Sequence, residues 1–214
     1  MLAAFEENQE VVLIPHTVEP FPNERKRPGD LDILRSEIYN LGFAAFRNSQ
    51  RSMEILTWWD KKLRTLCLAD PREGVFTDQK WMAYLPAFEK NVRILRHPGY
   101  NVAYWNIHER QVTMHDGLWS VRQANDALVP LVFYHFSGFH PDRHDLSKYQ
   151  DRYEGNLPGD LKILLEDYAA RLKASGFAHL SARPIPEVHF KTGEVWDPVC
   201  RLLYREVIKT KFKS

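Results

Sequence analysis

Between Phe76 and His108 the chain changes character several times, and this succession constrains the fold more than any other feature. Thr77-Asp78-Gln79-Lys80-Trp81 leads into a short apolar helix pattern (Trp81, Met82, Leu85). Val92-Arg93-Ile94-Leu95 then reads as a strand, and His97-Pro98-Gly99-Tyr100-Asn101-Val102-Ala103-Tyr104-Trp105-Asn106 as a loop of amides, rings and an imidazole. The stretch is too polar and too aromatic to be core alone. Asp, Asn, Gln and His can engage hydroxyls, while Trp and Tyr pack on C–H faces, and a carbohydrate pocket needs both.

Around this stretch, strands and helices alternate. Val11-Val12-Leu13-Ile14 is a fully apolar strand ended by Pro15, and Ile38 to Phe46 is a buried strand containing Asn40 and Gly42. Leu31, Leu34 and Ile38 form a helical pattern headed by Asp30, which reads as a cap and first-turn charge. From Ser49 a helix is predicted with Met53, Leu56, Trp59, Leu63 and Leu66 on its apolar face, stopped at Asp70-Pro71; Cys67 follows in step and is expected in the core. Asp116-Gly117 predicts a hairpin turn, and Asn125-Asp126 a second turn before a strand from Leu128 to Phe136. Pro158 and Gly176 bracket a helix carrying Leu161, Leu164, Leu165, Tyr168 and Leu172. The expected fold class is α/β, with a mixed sheet from Val11, Ile38, Val92 and Leu131 flanked by helices at about 49–69 and 158–175, in a single domain over 1–214.

Composition excludes several classes. Hydrophobic residues at 44% and aromatics at 13% belong to a globular chain. The 29 Lys and Arg against 28 Asp and Glu leave a net charge of +1, so no polyanion surface and no nucleic-acid partner is expected. Cys67 and Cys200 have no CxxC spacing, which argues against a disulfide scaffold and a thiolate zinc site. No run approaches the ~18 apolar residues of a membrane span. The start of the chain, with Glu6, Glu7 and Glu10, lacks a signal-peptide pattern, so a reducing, cytoplasmic location is expected. The loop from Glu19 to Gly29 is long for an idle connection; its Arg25-Lys26-Arg27 run suits either a phosphate or a solvated surface.

Four segments carry a family resemblance: Ile38-Tyr39-Asn40-Leu41-Gly42-Phe43, the Asp78-Gln79 segment, the His97 to Asn106 loop, and Phe133-Tyr134-His135-Phe136-Ser137-Gly138-Phe139. In this order they resemble the C-terminal half of bacterial nucleotide-sugar-dependent glycosyltransferases of the GT-A type, found in polysaccharide and surface-glycan assembly. The similarity runs from about Val11 through the Ile185 to Arg205 tail, where Trp196-Asp197-Pro198 to Tyr204 resembles a closing helix. The ordered set carries it, since each motif alone is common. The resemblance implies a partial GT-A fold, a nucleotide-sugar donor, a glycan acceptor, and a divalent metal, Mn²⁺ or Mg²⁺, held against the diphosphate. It assigns Asp78 and Gln79 to catalysis beside the anomeric carbon and His135 to the metal. Gly138 would admit the diphosphate to the backbone. Asn40, Gly42, Asn101, Tyr104, Trp105 and Asn106 would face the sugar.

The family's nucleotide-binding half ends in an Asp-x-Asp motif. Asp30-Leu31-Asp32 has that form but heads a helix pattern, so the donor-binding half is expected to be missing from this chain, and a homo-oligomer or a separate half is a candidate partner. Two other readings remain. One is a non-catalytic glycan- or partner-binding module. The other is a zinc-dependent hydrolase built on His135, His140 and His144, for which no motif places an acidic general base. His16, His97 and His108 read as structural histidines.

Overall fold

The structure is a computed structural model that describes residues 8–22, 25–123, 127–143, 145–183 and, further on, 192–195, 197, 199, 200, 203 and 207. His144, the Asn125-Asp126 turn, and Trp196, Pro198 and Tyr204 of the tail lie outside the described residues. The chain divides into two compact units, residues 1–169 and 170–214. In chain order the elements are β1 (Val11–Pro15), α1 (Asp30–Ser36), β2 (Tyr39–Phe46), α2 (Gln50–Leu66), β3 (Ala69–Asp70) and β4 (Val75–Phe76). A 3₁₀ turn (Gln79–Tyr84) follows, then α3 (Leu85–Phe88), β5 (Val92–Ile94), β6 (Arg110–His115), β7 (Leu118–Gln123), β8 (Val129–Pro130), α4 (Leu161–Ala174) and α5 (Phe177–Ser181).

The continuous apolar run of β1 is explained by its place at the centre of a three-stranded mixed sheet, antiparallel to β2 and parallel to β5, where every residue is buried. Its side chains alternate between two cores. Val11 and Leu13 pack with Ile55, Met82 and Leu85, and Val12 and Ile14 with Leu95 and Tyr100. A second sheet, in the order β6-β7-β8, turns at Asp116 (φ 50°) and Gly117 (φ 76°), the left-handed pair that a two-residue hairpin requires. Its Val112 and Val121 pack on Leu161, Leu164 and Leu165 of α4, together with Val102, Ile107 and Leu146.

Several expectations are corrected. Leu131 does not join the β1 sheet. Residues 132–135 instead run along the loop after β5, where Val132 N–H donates to Gly99 O (2.8 Å) and His135 N–H to Val102 O (2.7 Å). The inward face of α2 is Ser52, Ile55, Trp58 and Trp59, whereas Met53 and Leu66 are exposed. The face is rotated because the Ser52 hydroxyl donates to Glu10 O (3.1 Å) and thereby ties the helix to the segment before β1. Cys67 ends this helix in solvent. In α1 only Ile33 is buried, and Leu31 and Leu34 face outward. Gly29 occupies the cap position; Asp30 instead accepts from Phe21 N–H (3.2 Å), and Asp32 accepts from Gly29 N–H (3.0 Å).

The 19–29 loop is fastened at several points. Glu109 accepts from Glu19 N–H (2.6 Å), Asp151 accepts from Arg27 N–H (2.7 Å), and Arg152 donates to Pro28 O (3.0 Å). In the second unit, Gly176 takes φ 88° at the start of α5, a conformation that only glycine adopts without strain.

Candidate functional site

A polar cluster gathers residues from four separated segments: the buried His16 after β1, the buried Asn40 and exposed Gly42 in β2, the buried Asn101 and Asn106 in the loop after β5, and the half-buried His135 in the strand-like segment beside that loop. Gly42 N–H donates to Asn40 Oδ1 (2.8 Å), and Asn101 Nδ2 donates to the same oxygen (2.9 Å). Asn40 Nδ2 lies 3.0 Å from His16 Nε2, and His16 Nδ1 lies 3.3 Å from Ile38 O. Asn101 Oδ1 lies 3.1 Å from His135 Nδ1. Asn101 holds φ 53°, a left-handed conformation that Asn tolerates better than most residues. Asn106 closes the cluster, donating to His16 O and Asn101 O (both 3.0 Å) and accepting from Ala103 N–H (2.9 Å).

These contacts alter the expected roles. Asn101 and Asn106 are fully buried, and every polar atom of the Asn106 amide is engaged by backbone, so Asn106 shapes the loop. Trp105 is 3% exposed and stands edge-on between the rings of His16 (5.1 Å) and His135 (5.0 Å), so its faces are not an open platform. The space at Gly42 is filled from within the protein: a Cβ there would collide with the His135 ring and come 2.6 Å from Asn40 Oδ1. Gly138 (φ 71°) is likewise packed, with Tyr149 Cδ2 2.6 Å from where its Cβ would stand. Tyr104 touches Trp105 edge-on at 5.0 Å, and burial pushes its hydroxyl up to about 12.

Asp78 and Gln79 occupy another part of the surface that joins the cluster through the start of β2. Thr77, just before them, has φ 49°, a strained value for a β-branched residue. Asp78 stands at the head of the 3₁₀ turn but makes no capping bond; its half-buried carboxylate has no partner among the described residues, while its carbonyl accepts from Trp59 Nε1 (3.1 Å). Gln79 Nε2 reaches Ser36 O (3.5 Å), and no hydrogen bond joins Asp78 or Gln79 to the Asn40–His135 cluster.

Sequence reasoning overlooked Glu37, which lies between the two. Its side chain is 1% exposed; Oε1 accepts from Ile38 N–H (2.6 Å), Oε2 has no hydrogen-bond donor, and Lys80 Nζ lies 3.9 Å away. Burial raises its carboxyl, opposed in part by the Ile38 amide and Lys80. The available signal was a Glu on the lead-in to a buried strand. It was masked because helix-end glutamates are ordinarily solvated.

Burial lowers both cluster histidines. His16 is lowered to about 4, although the carbonyls of Ile38 and Glu37 favour its protonated form, and His135 is lowered by burial. His135 Nε2 has no partner among the described residues, so it offers one ligand nitrogen. The described residues gather no set of three His, Cys, Asp or Glu able to hold an ion unaided. A divalent ion here would take its other ligands from a diphosphate, water or further protein groups. A surface cleft of about 550 Å³ between Glu10, Arg51 and the 86–91 segment includes none of these residues.

Comparison with known proteins adds two relatives. The uncharacterized protein YfnF of Bacillus subtilis (strain 168) is 33% identical over 101 residues, which is 47% of this chain and 32% of that protein. The uncharacterized protein YfnD of the same organism is 30% identical over 107 residues, 49% of this chain and 33% of that protein. The matched segment thus spans about a third of the length of these curated relatives. No protein-family profile matches the chain, and no solved structure matches it. Among the described residues no helix is long and apolar enough to cross a membrane.

Proposed function

We propose that this chain is the sugar-facing portion of a GT-A-type glycosyltransferase that moves a sugar from a nucleotide-sugar donor to a glycan or other acceptor. The observation that supports this most is Asp78: a half-buried carboxylate, preceded by a strained Thr77, that caps nothing and pairs with nothing among the described residues. A carboxylate left unpaired beside an amide is the arrangement that stabilises positive charge developing on an anomeric carbon, with Gln79 orienting the sugar. His135 would contribute Nε2 to a divalent ion on the donor diphosphate; the ion would neutralise charge there, and the protein's own part is to hold the imidazole in place. Asn40, Asn101 and Asn106 act from behind as the frame of the site.

Calorimetric titration with a panel of UDP- and GDP-sugars in the presence of Mn²⁺ tests this reading. Binding is expected to be weak, because the described residues offer the metal one nitrogen and no carboxylate set. Asp78→Ala should reduce it at least tenfold with little loss of stability, since no capping bond is removed. Equal affinity in the variant, or no nucleotide-sugar bound at any concentration, overturns the assignment. Preference for free oligosaccharide over every nucleotide-sugar would replace it with a glycan-binding module.

The three-stranded sheet ends in β2 on one side and β5 on the other, and Leu31, Leu34 and Tyr84 are exposed nearby in sequence. Open edges and apolar side chains recruit partners. Concentration-dependent self-association is therefore expected in light scattering, and a monomer at every concentration would contradict it.

A further inference from the structure

We propose that His16, Asn40 and Asn101 form a positioning relay that holds His135 with its proton on Nδ1 and leaves Nε2 as a fixed lone pair. Two groups whose polarity is beyond choice set the direction of every bond. The Gly42 amide can only donate, so the atom of Asn40 facing it at 2.8 Å is Oδ1, and the amide nitrogen must turn to His16. His16 Nε2 therefore accepts, and its proton sits on Nδ1, where the Ile38 carbonyl, which can only accept, lies at 3.3 Å. The two ends agree without adjustment.

The same Asn40 oxygen receives Asn101 Nδ2 at 2.9 Å, which forces Asn101 Oδ1 toward His135. An amide oxygen accepts, so His135 Nδ1 must donate across the 3.1 Å contact. The Asn40–His16 and Asn40–Asn101 bonds are buried and shielded from water, while the His135–Asn101 contact is part-buried; reversing either amide would leave two donors or two acceptors facing each other. Trp105 packs against both imidazoles in T-shaped contacts, with ring centroids 5.1 and 5.0 Å away. For what Nε2 serves, metal or substrate, the inference rests on the function proposed above.

Two-bond ¹H–¹⁵N spectra of the imidazoles in the uniformly labelled full chain at neutral pH test the relay, with His135→Gln assigning the signal. His135 is expected as the Nδ1–H form, the opposite of the Nε2–H form that an unconstrained histidine favours. An Nε2–H signal in the parent overturns the relay. Asn101→Ala removes the acceptor and should return His135 to the Nε2–H form; a folded variant that keeps Nδ1–H also overturns it. Should Asn101→Ala fail to fold, Asn40→Ala decides, because the Asn101 amide is then free to turn and a mixture of both forms is expected. The spectra need neither sugar nor metal, so donor binding can fail in calorimetry while the relay stands, and the reverse.

Discussion

Lowering the pH from about 6.5 to about 4 is expected to remove about 3 kcal/mol of stability through His16 alone. The folded protein holds this imidazole neutral down to about pH 4 because it is buried, whereas the unfolded chain protonates it near 6.5. Between these values the unfolded state binds a proton that the folded state does not, so the contribution is complete above 6.5 and is lost as the pH falls through the window. Each tenfold change in proton affinity between the two states is worth about 1.36 kcal/mol, so lowering the imidazole from 6.5 to about 4 amounts to about 3 kcal/mol. His135, also lowered by burial, adds in the same direction; Glu37, raised by burial, works against it. Urea unfolding at pH 7 and pH 4 measures the loss. His16→Gln, which can keep an acceptor toward Asn40 without titrating, should lose much less over the same interval, and an unchanged pH dependence would contradict the assignment.

Gly42→Ala is expected to cost about 3 kcal/mol, because its methyl would collide with the His135 ring and the Asn40 amide, neither of which can move without disturbing its hydrogen bond to Asn101. Gly74→Ala is the control. Gly74 has φ 72° and nothing within 4 Å of its Cβ position, so only the backbone strain of about 1 kcal/mol should appear. Denaturant midpoints with unchanged slopes report both, and equal costs would mean that the cluster yields easily.

How much of this was readable in the chain follows from where the information lies. The apolar run of β1, the Asp116-Gly117 turn and the Leu161–Leu165 face of α4 are local patterns with one physical solution, and the structure has them. The rotation of α2 was hidden because a serine faces inward, its hydroxyl engaged by Glu10 from a distant segment. Asn40, Asn101, Asn106 and His135 stand out in the sequence as polar candidates, whereas His16 reads there as a structural histidine, and the geometry that joins them is not legible. Asn101 and Asn106 looked like pocket lining because amides in an aromatic loop are usually solvated, and only the non-local contacts to His16, Asn40 and His135 show that they are enclosed. Gly42 looked like room for a ligand, whereas His135 fills that space. Glu37 lacked any motif, and its neighbour Lys80, with Nζ 3.9 Å from Oε2, comes from another element.

Residue-resolved NMR of the labelled chain during titration with UDP- and GDP-sugars and Mg²⁺ addresses the central proposal most directly. Chemical-shift changes are expected to concentrate at Thr77, Asp78, Gln79 and His135 and to be lost in Asp78→Ala while the rest of the spectrum is unchanged. Changes confined to other surfaces, such as the cleft at Arg51 and Glu89, or a response that persists undiminished in Asp78→Ala, would contradict it.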